Sequence, residues 1–149
     1  MLTVTMISVG LVMTCVGIHY FALVNLSRLC SRTSPHPRRW LNAMVIGAIV
    51  AHVVELYCFA IGYYVVDLLD GPGGLIDANG QSSTDYGYFS FVAYTSLGFG
   101  DITPNGPVRF MTALETLTGL ILIAWTASFI FLQMQVNWEH RQTNKKSSS

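Results

Sequence analysis

Residues 95–101 read TSLGFGD, with Gly98 and Gly100 flanking Phe99 in an otherwise apolar chain. Glycine accepts positive φ without a steric penalty, so the pair marks backbone that turns sharply, cradles an anion or itself serves as a ligand. A dinucleotide fingerprint needs a third glycine three residues after Gly100, where Thr103 stands, and a P-loop needs a following Gly-Lys-Ser/Thr that this stretch lacks. A plain turn and a backbone ligand remain. A second set of chemically able residues lies inside apolar runs: His52, Glu55 and Glu115. Such groups are expensive in lipid and default to a function. His52 and Glu55 are three residues apart, on one helical face. That spacing suits half a metal site, a hydrogen-bonded brace or a proton-sensing pair. An enzyme would need a fuller catalytic set, so none is expected.

The elements that position these residues follow from composition. The chain has 149 residues, of which 52% are hydrophobic and 11% charged, with a formal net charge of zero. Charge at less than half the usual share excludes an ordinary soluble domain, and no basic field points to nucleic acid. Three runs are long enough to span a bilayer, which takes about 20 apolar residues: 2–26, 40–66 and 107–136. The first lacks the basic start of a cleaved signal and reads as a retained helix. Cys15 and Cys58 sit in apolar runs, and with Cys30 they fit neither a disulfide framework nor a zinc pattern; they read as inert thiols.

Basic residues set the orientation. Arg28, Arg32, Arg38 and Arg39 lie between the first two runs, and Arg141, Lys145 and Lys146 follow the third. Both segments are expected in the cytoplasm. The segment between the second and third runs holds Asp67, Asp70, Asp77, Asp85 and Asp101 and no Lys or Arg, and is expected outside, together with the N-terminus. Trp40 and Trp138 then fall at the inner interface, which favours amphipathic rings.

The outer segment divides in two. Residues 71–83, GPGGLIDANGQSS, are rich in turn formers and read as a flexible exposed loop. Residues 84–95 predict a helix of about 18 Å, too short to cross the bilayer and too apolar for water. That combination predicts a re-entrant segment that dips into the membrane. Gly87, the aromatics and Val92 give it poor intrinsic propensity, so neighbouring spans must hold it, with Thr84 or Asp85 as its cap. TSLGFGD follows directly. Non-helical backbone at membrane depth survives only when buried in protein or lining a water-filled path, which favours backbone as ligand.

In this setting the stretch Ser96-Leu97-Gly98-Phe99-Gly100-Asp101 resembles the potassium-channel signature threonine-valine-glycine-tyrosine-glycine-aspartate. Its Leu and Phe variants look like those of two-pore-domain and small bacterial channels. The resemblance covers about residues 86–135 and implies an all-α membrane protein: three transmembrane helices, a pore helix, a filter loop and a tetrameric pore. It implies that the carbonyls of Ser96, Leu97, Gly98 and Phe99, with the Ser96 hydroxyl, take the place of water around K⁺. Thr95, Gly100 and Asp101 would shape the filter and its mouth, and the outer aspartates would concentrate cations. Ser96 and Phe99 replace the commoner Thr and Tyr, and Tyr88, Phe89 and Val92 stand where relatives often carry other bracing residues. Fewer braces imply a less rigid filter.

Pro107 suits the first turn of the last helix, and Arg109 its outer end. Gly119 stands about where many relatives have a hinge glycine; a bend and close helix packing are both open readings. Thr126, Phe129, Leu132 and Val136 are candidates for a hydrophobic constriction. Glu55 and Glu115 lie about 16 Å and 12 Å from the outer ends of their helices, which allows one shared network under the pore helix. Residues 1–39 read as a peripheral helix and cytoplasmic loop, with Gly10 and Gly17 as close-approach points. Residues 40–138 form the pore unit and 139–149 a short cytoplasmic tail. The expected function is a multi-pass potassium channel subunit in the cell membrane, with K⁺ as permeant ion and no cofactor. Its partners are lipid and further copies of itself, with no nucleic acid and no small-molecule substrate. The alternatives are a weakly selective cation channel and a non-conducting subunit that keeps the pore fold.

Overall fold

The computed structural model describes residues 1–33, 37–69 and 73–147, without the side chains of 29–33, 37–39, 137 and 139–147. Asp70, Cys30 and most of the basic residues that set the orientation (Arg32, Arg38, Arg39, Arg141, Lys145 and Lys146) therefore lie outside the described residues or side chains. The chain runs α1 (Leu2–Thr33), α2 (Pro37–Leu68), β1 (Leu75–Asp77), α3 (Tyr86–Tyr94), β2 (Ile102–Pro104) and α4 (Val108–Ser147). Among the described residues, three helices are long and apolar enough to cross a membrane, over Leu2–Arg28, Trp40–Leu68 and Val108–Val136. They contain the first two runs expected from the sequence and match the third to within one residue, beginning at Val108 in place of Pro107. This is an all-α membrane architecture with one small two-stranded addition.

Between helices in lipid the hydrophobic drive is weak, because lipid tails are as apolar as the side chains they would replace. Close packing and interhelical hydrogen bonds must hold the bundle. The core joins Phe59, Tyr63 and Val66 of α2 to Phe89 and Ala93 of α3 and to Val108, Met111 and Leu122 of α4, with Val4 and Cys15 of α1 against them. A lower cluster buries Trp40 and Met44 against Phe129, Ile130 and Met134. Cys15 is buried and Cys58 partly so, and neither is in a disulfide.

Where α1 meets α2, the close-approach glycines are on α2. A Cβ on Gly62 would meet the side chains of Leu11 and Met111, and one on Gly47 would meet Leu26. Gly10 and Gly17 have open space around them, so the expectation for α1 is corrected: it offers the leucines and α2 the gaps.

The segment before α3 is not a bare loop. Leu75 is buried, and Leu75–Asp77 pairs antiparallel with Ile102–Pro104, Ile76 facing Thr103. Asp77 Oδ1 accepts the backbone N–H groups of Asn79 and Gln81 and closes the turn between them. Strands of three residues fall below the four to eight that alternation can reveal, and turn residues dominate the surrounding composition. The sheet ties the segment before α3 to the chain just after Asp101.

Candidate functional site

α3 starts where Asp85 accepts the Tyr88 N–H as its N-cap. It ends at Tyr94, where Ser96 N–H donates to the Ala93 carbonyl and Leu97 N–H to the Val92 carbonyl. The Thr95 hydroxyl donates to the Phe91 carbonyl. Beyond that point the backbone alternates. Ser96, Gly98 and Gly100 have φ of 59°, 60° and 77°, while Leu97 and Phe99 between them stay out of that region. A Cβ on Gly98 or Gly100 would meet almost nothing, so glycine is needed there for its dihedral and not for space. Ser96 adopts the left-handed form without that freedom, at a penalty of about 1–2 kcal/mol. All of residues 95–101 are exposed in the single chain, Phe99 at 65%.

Tyrosine hydroxyls hold the outer end of this loop and the start of α3. The Tyr88 hydroxyl donates to Asp101 Oδ2 at 2.7 Å, and the Tyr86 hydroxyl to Asp67 Oδ2 at 2.7 Å. The Asp101 bond holds the outer end of the loop to α3, a brace that the sequence reading missed. Tyr86 carries a phenol pushed up to about 12, first by loss of water and then by the bond to and charge of Asp67. Tyr88 is raised too, chiefly by its bond to Asp101.

Behind the loop α3 leans directly on α4. The Thr116 hydroxyl donates to the Ala93 carbonyl at 3.0 Å. Gly119 is buried, and a Cβ there would fall onto the Tyr94 carbonyl. Close packing accounts for this glycine. Thr126 is also turned inward, which removes it from the expected constriction. Phe129 packs on the lower cluster, while Leu132 and Val136 are exposed.

Among the described residues the two acids sit in separate hydrogen-bonded networks against one face of α3, Glu55 at Tyr94 and Glu115 at Ser90 one turn before it, and not in the shared one that their depths allow. Glu115 is fully buried and accepts the Tyr63 hydroxyl at 2.5 Å and the Ser90 hydroxyl. Ser90 also reaches the Leu56 carbonyl, and Tyr63 reaches Thr112. Glu55 is fully buried too, but faces imidazoles. Its Oε1 lies 2.9 Å from His19 Nδ1 and its Oε2 3.1 Å from His52 Nδ1. The Tyr94 hydroxyl donates to Oε2 at 2.5 Å. Thr126 Oγ1 lies 3.1 Å from His52 Nε2 and 3.3 Å from His19 Nε2. The Trp125 ring packs beside His19, centroids 5.3 Å apart.

His19 is the site residue that sequence reasoning missed. Its signal was available, since an ionisable side chain inside an apolar span defaults to a function. Through it α1 reaches Glu55, and through Glu55 it reaches Tyr94, the last residue of the helix that carries the loop.

Residues 50–135 match the ion channel family, a segment that runs from within α2, through α3 and the glycine loop, to the apolar end of α4. No curated protein and no solved structure matches the chain. With more than half of its length matched, with helices apolar enough to cross a membrane more than once, and with its glycine loop set between two of them, this chain belongs to the ion channel family.

Proposed function

We propose that this ion channel subunit forms a homotetrameric, potassium-selective pore. In it the carbonyls of Ser96, Leu97, Gly98 and Phe99 and the Ser96 hydroxyl bind K⁺, and Thr95, Gly100 and Asp101 shape the loop and its mouth. The observation that carries this reading is the positive φ at every second residue, Ser96, Gly98 and Gly100. A backbone that alternates handedness turns successive carbonyls to the same side, which is what a row of cation sites needs. One loop supplies one wall of such a cage, so four copies meet on an axis and α3 re-enters the membrane to deliver each loop.

Two further features support the assembly. The loop is exposed in the single chain, ready for neighbours. The exposed apolar residues of α4 (Phe110, Leu117, Leu120, Ile121, Phe131) recur at helical spacing on a face that needs lipid or another copy. The acidic outer segment faces outside with the N-terminus, and the C-terminus is cytoplasmic. Residues 40–138 are the pore unit, which contains the matched segment, and residues 1–39 are peripheral to it. His52, Glu55 and Glu115 brace α3 at two levels a turn apart, Tyr94 and Ser90. Ser96 in place of Thr and Phe99 in place of Tyr favour a second reading, a weakly selective cation pore of the same build.

The test is flux from the purified chain in liposomes. K⁺ efflux is expected from the parent and lost in Gly98→Ala, whose added Cβ has space but not the dihedral. Equal flux from both overturns the filter assignment.

A further inference from the structure

The groups around Glu55 hold one positive charge too few for their own geometry. Both Nδ1 atoms, of His19 and His52, face the Glu55 carboxylate. Both Nε2 atoms face a single oxygen, Thr126 Oγ1. A neutral imidazole has one N–H and one lone pair, and a hydroxyl has one proton and two lone pairs. If both Nδ1 atoms donate to the carboxylate, two Nε2 lone pairs compete for one Thr126 proton. If both Nε2 atoms donate to Thr126, both Nδ1 lone pairs face an acceptor. The mixed arrangement satisfies Thr126 but leaves the His52 Nδ1 lone pair and Glu55 Oε2, 3.1 Å apart, sharing the one Tyr94 proton. The side chains of His19 and Glu55 are 1% and 0% exposed and that of His52 18%, so the shortage lies in a nearly closed site with a single partly open edge.

We propose that a divalent transition-metal ion of the zinc type supplies the missing charge, held by His19 Nδ1, His52 Nδ1 and the Glu55 carboxylate, with the Tyr94 phenol oxygen as fourth ligand. Imidazole and carboxylate are a ligand set that such ions accept. One ligand atom from each of His19, His52 and Glu55 already lies within 4.8 Å of the others. Metal–ligand bonds of about 2.0–2.2 Å put tetrahedral ligands roughly 3.3 Å apart: the His–Glu contacts of 2.9–3.1 Å widen slightly, the Tyr94–Glu55 contact opens from 2.5 Å, and the spread of the three-residue set, within 4.8 Å, closes. With both Nδ1 atoms on the ion, both Nε2–H groups donate to the two lone pairs of Thr126. Metal-ligating histidines are held in just this way by an outer acceptor. Tyr94 releases its proton to solvent on binding, so the ion, the carboxylate and the phenolate sum to zero charge, as a membrane interior requires. His52, with 18% of its side chain exposed, is the side from which an ion reaches the site. The bound ion fastens α1 and α2 to the last residue of α3.

The test uses the full chain in lipid nanodiscs, stripped with a chelator and titrated with Co²⁺. One Co²⁺ per chain is expected, with the intense visible bands of four-coordinate cobalt, displaced by Zn²⁺. His19→Gln and His52→Gln, each checked for unchanged helix content by circular dichroism, should weaken binding by about a hundredfold or more. Thr126→Val, which removes only the outer acceptor, should weaken it about tenfold. A double variant at the other two histidines, His36→Ala with His140→Ala, should bind as the parent does. The absence of saturable Co²⁺ binding by the parent overturns the proposal and assigns the charge to a proton shared by the histidines. Binding that survives both glutamine variants also overturns it.

Discussion

The Tyr94 hydroxyl donates to Glu55 Oε2 across 2.5 Å, and Tyr94 is the residue at which α3 ends and the glycine loop begins. The loop's inner end is thus fixed by a buried carboxylate on α2, which α1 in turn holds through His19. Tyr94→Phe removes one of the three groups facing that carboxylate and keeps the ring. A hydrogen bond to a charged group contributes about 1.5–3 kcal/mol. We expect thermal unfolding in detergent to report a loss of that order. Tyr20→Phe, on an exposed ring of α1, should change nothing.

One turn earlier on α3, at Ser90, Glu115 is surrounded by hydroxyls and not by imidazoles. Glu115→Gln keeps one acceptor oxygen, for Tyr63, and sets its amide N–H₂ against Ser90, whose hydroxyl turns to the Leu56 carbonyl, at a cost of about one hydrogen bond, roughly 0.5–1.5 kcal/mol. Glu115→Leu removes both acceptors, leaving Tyr63 with Thr112 and Ser90 with the Leu56 carbonyl, and so loses two hydrogen bonds to a buried carboxyl, each about 0.5–1.5 kcal/mol or more. Denaturation of the two variants side by side checks the order. A leucine variant as stable as the glutamine variant would contradict the network.

Gly119 separates packing from hinging. An alanine there drives its Cβ onto the Tyr94 carbonyl, a backbone atom that cannot swing aside. Gly119→Ala should therefore lower the yield and melting temperature of the folded protein. A hinge residue changed to alanine would leave stability intact and alter only opening. Gly10→Ala, in open space on α1, should be neutral or slightly stabilising by the usual preference of helices for alanine, about 1 kcal/mol at most.

The phenols on the outer side give a pH signature. Tyr86 has its folded pKa raised to about 12, by burial first and Asp67 second. Because the folded value lies above the unfolded one, the bond's contribution is complete below about pH 10 and is lost as pH rises through about 12. Tyr88 follows the same direction through its bond to Asp101. Tyrosinate absorbance should show a late component near pH 12 that disappears in Tyr86→Phe. An unchanged titration curve would count against the Asp67 bond.

Much of this arrangement is legible in the sequence because its signals are local. Long apolar runs mark the three spans, Asp85 before an aromatic run marks the cap of α3, and two alternate glycines mark the loop. What is not legible depends on distant partners. Nothing local says that His19 faces Glu55, 36 residues away, or that Thr126 turns inward to meet both histidines. Glu55 and Glu115 sit at similar depths in their helices, yet one meets Tyr94 and the other Ser90, a turn apart on α3, and only the packing of that helix reveals two networks in place of one. The Tyr88–Asp101 bond escapes for a related reason, since it needs the loop to double back along the helix before it. The three-residue strands are too short for any periodicity to register.

The central claim is that the backbone of residues 96–99 selects K⁺. It is tested most directly by the reversal potential of the purified channel in a planar bilayer with K⁺ on one side and Na⁺ on the other. A carbonyl filter with positive φ at Ser96, Gly98 and Gly100 predicts a reversal potential strongly displaced toward the K⁺ equilibrium value. That displacement should be lost, together with the current, in Gly98→Ala. A parent channel that reverses near zero would contradict potassium selectivity.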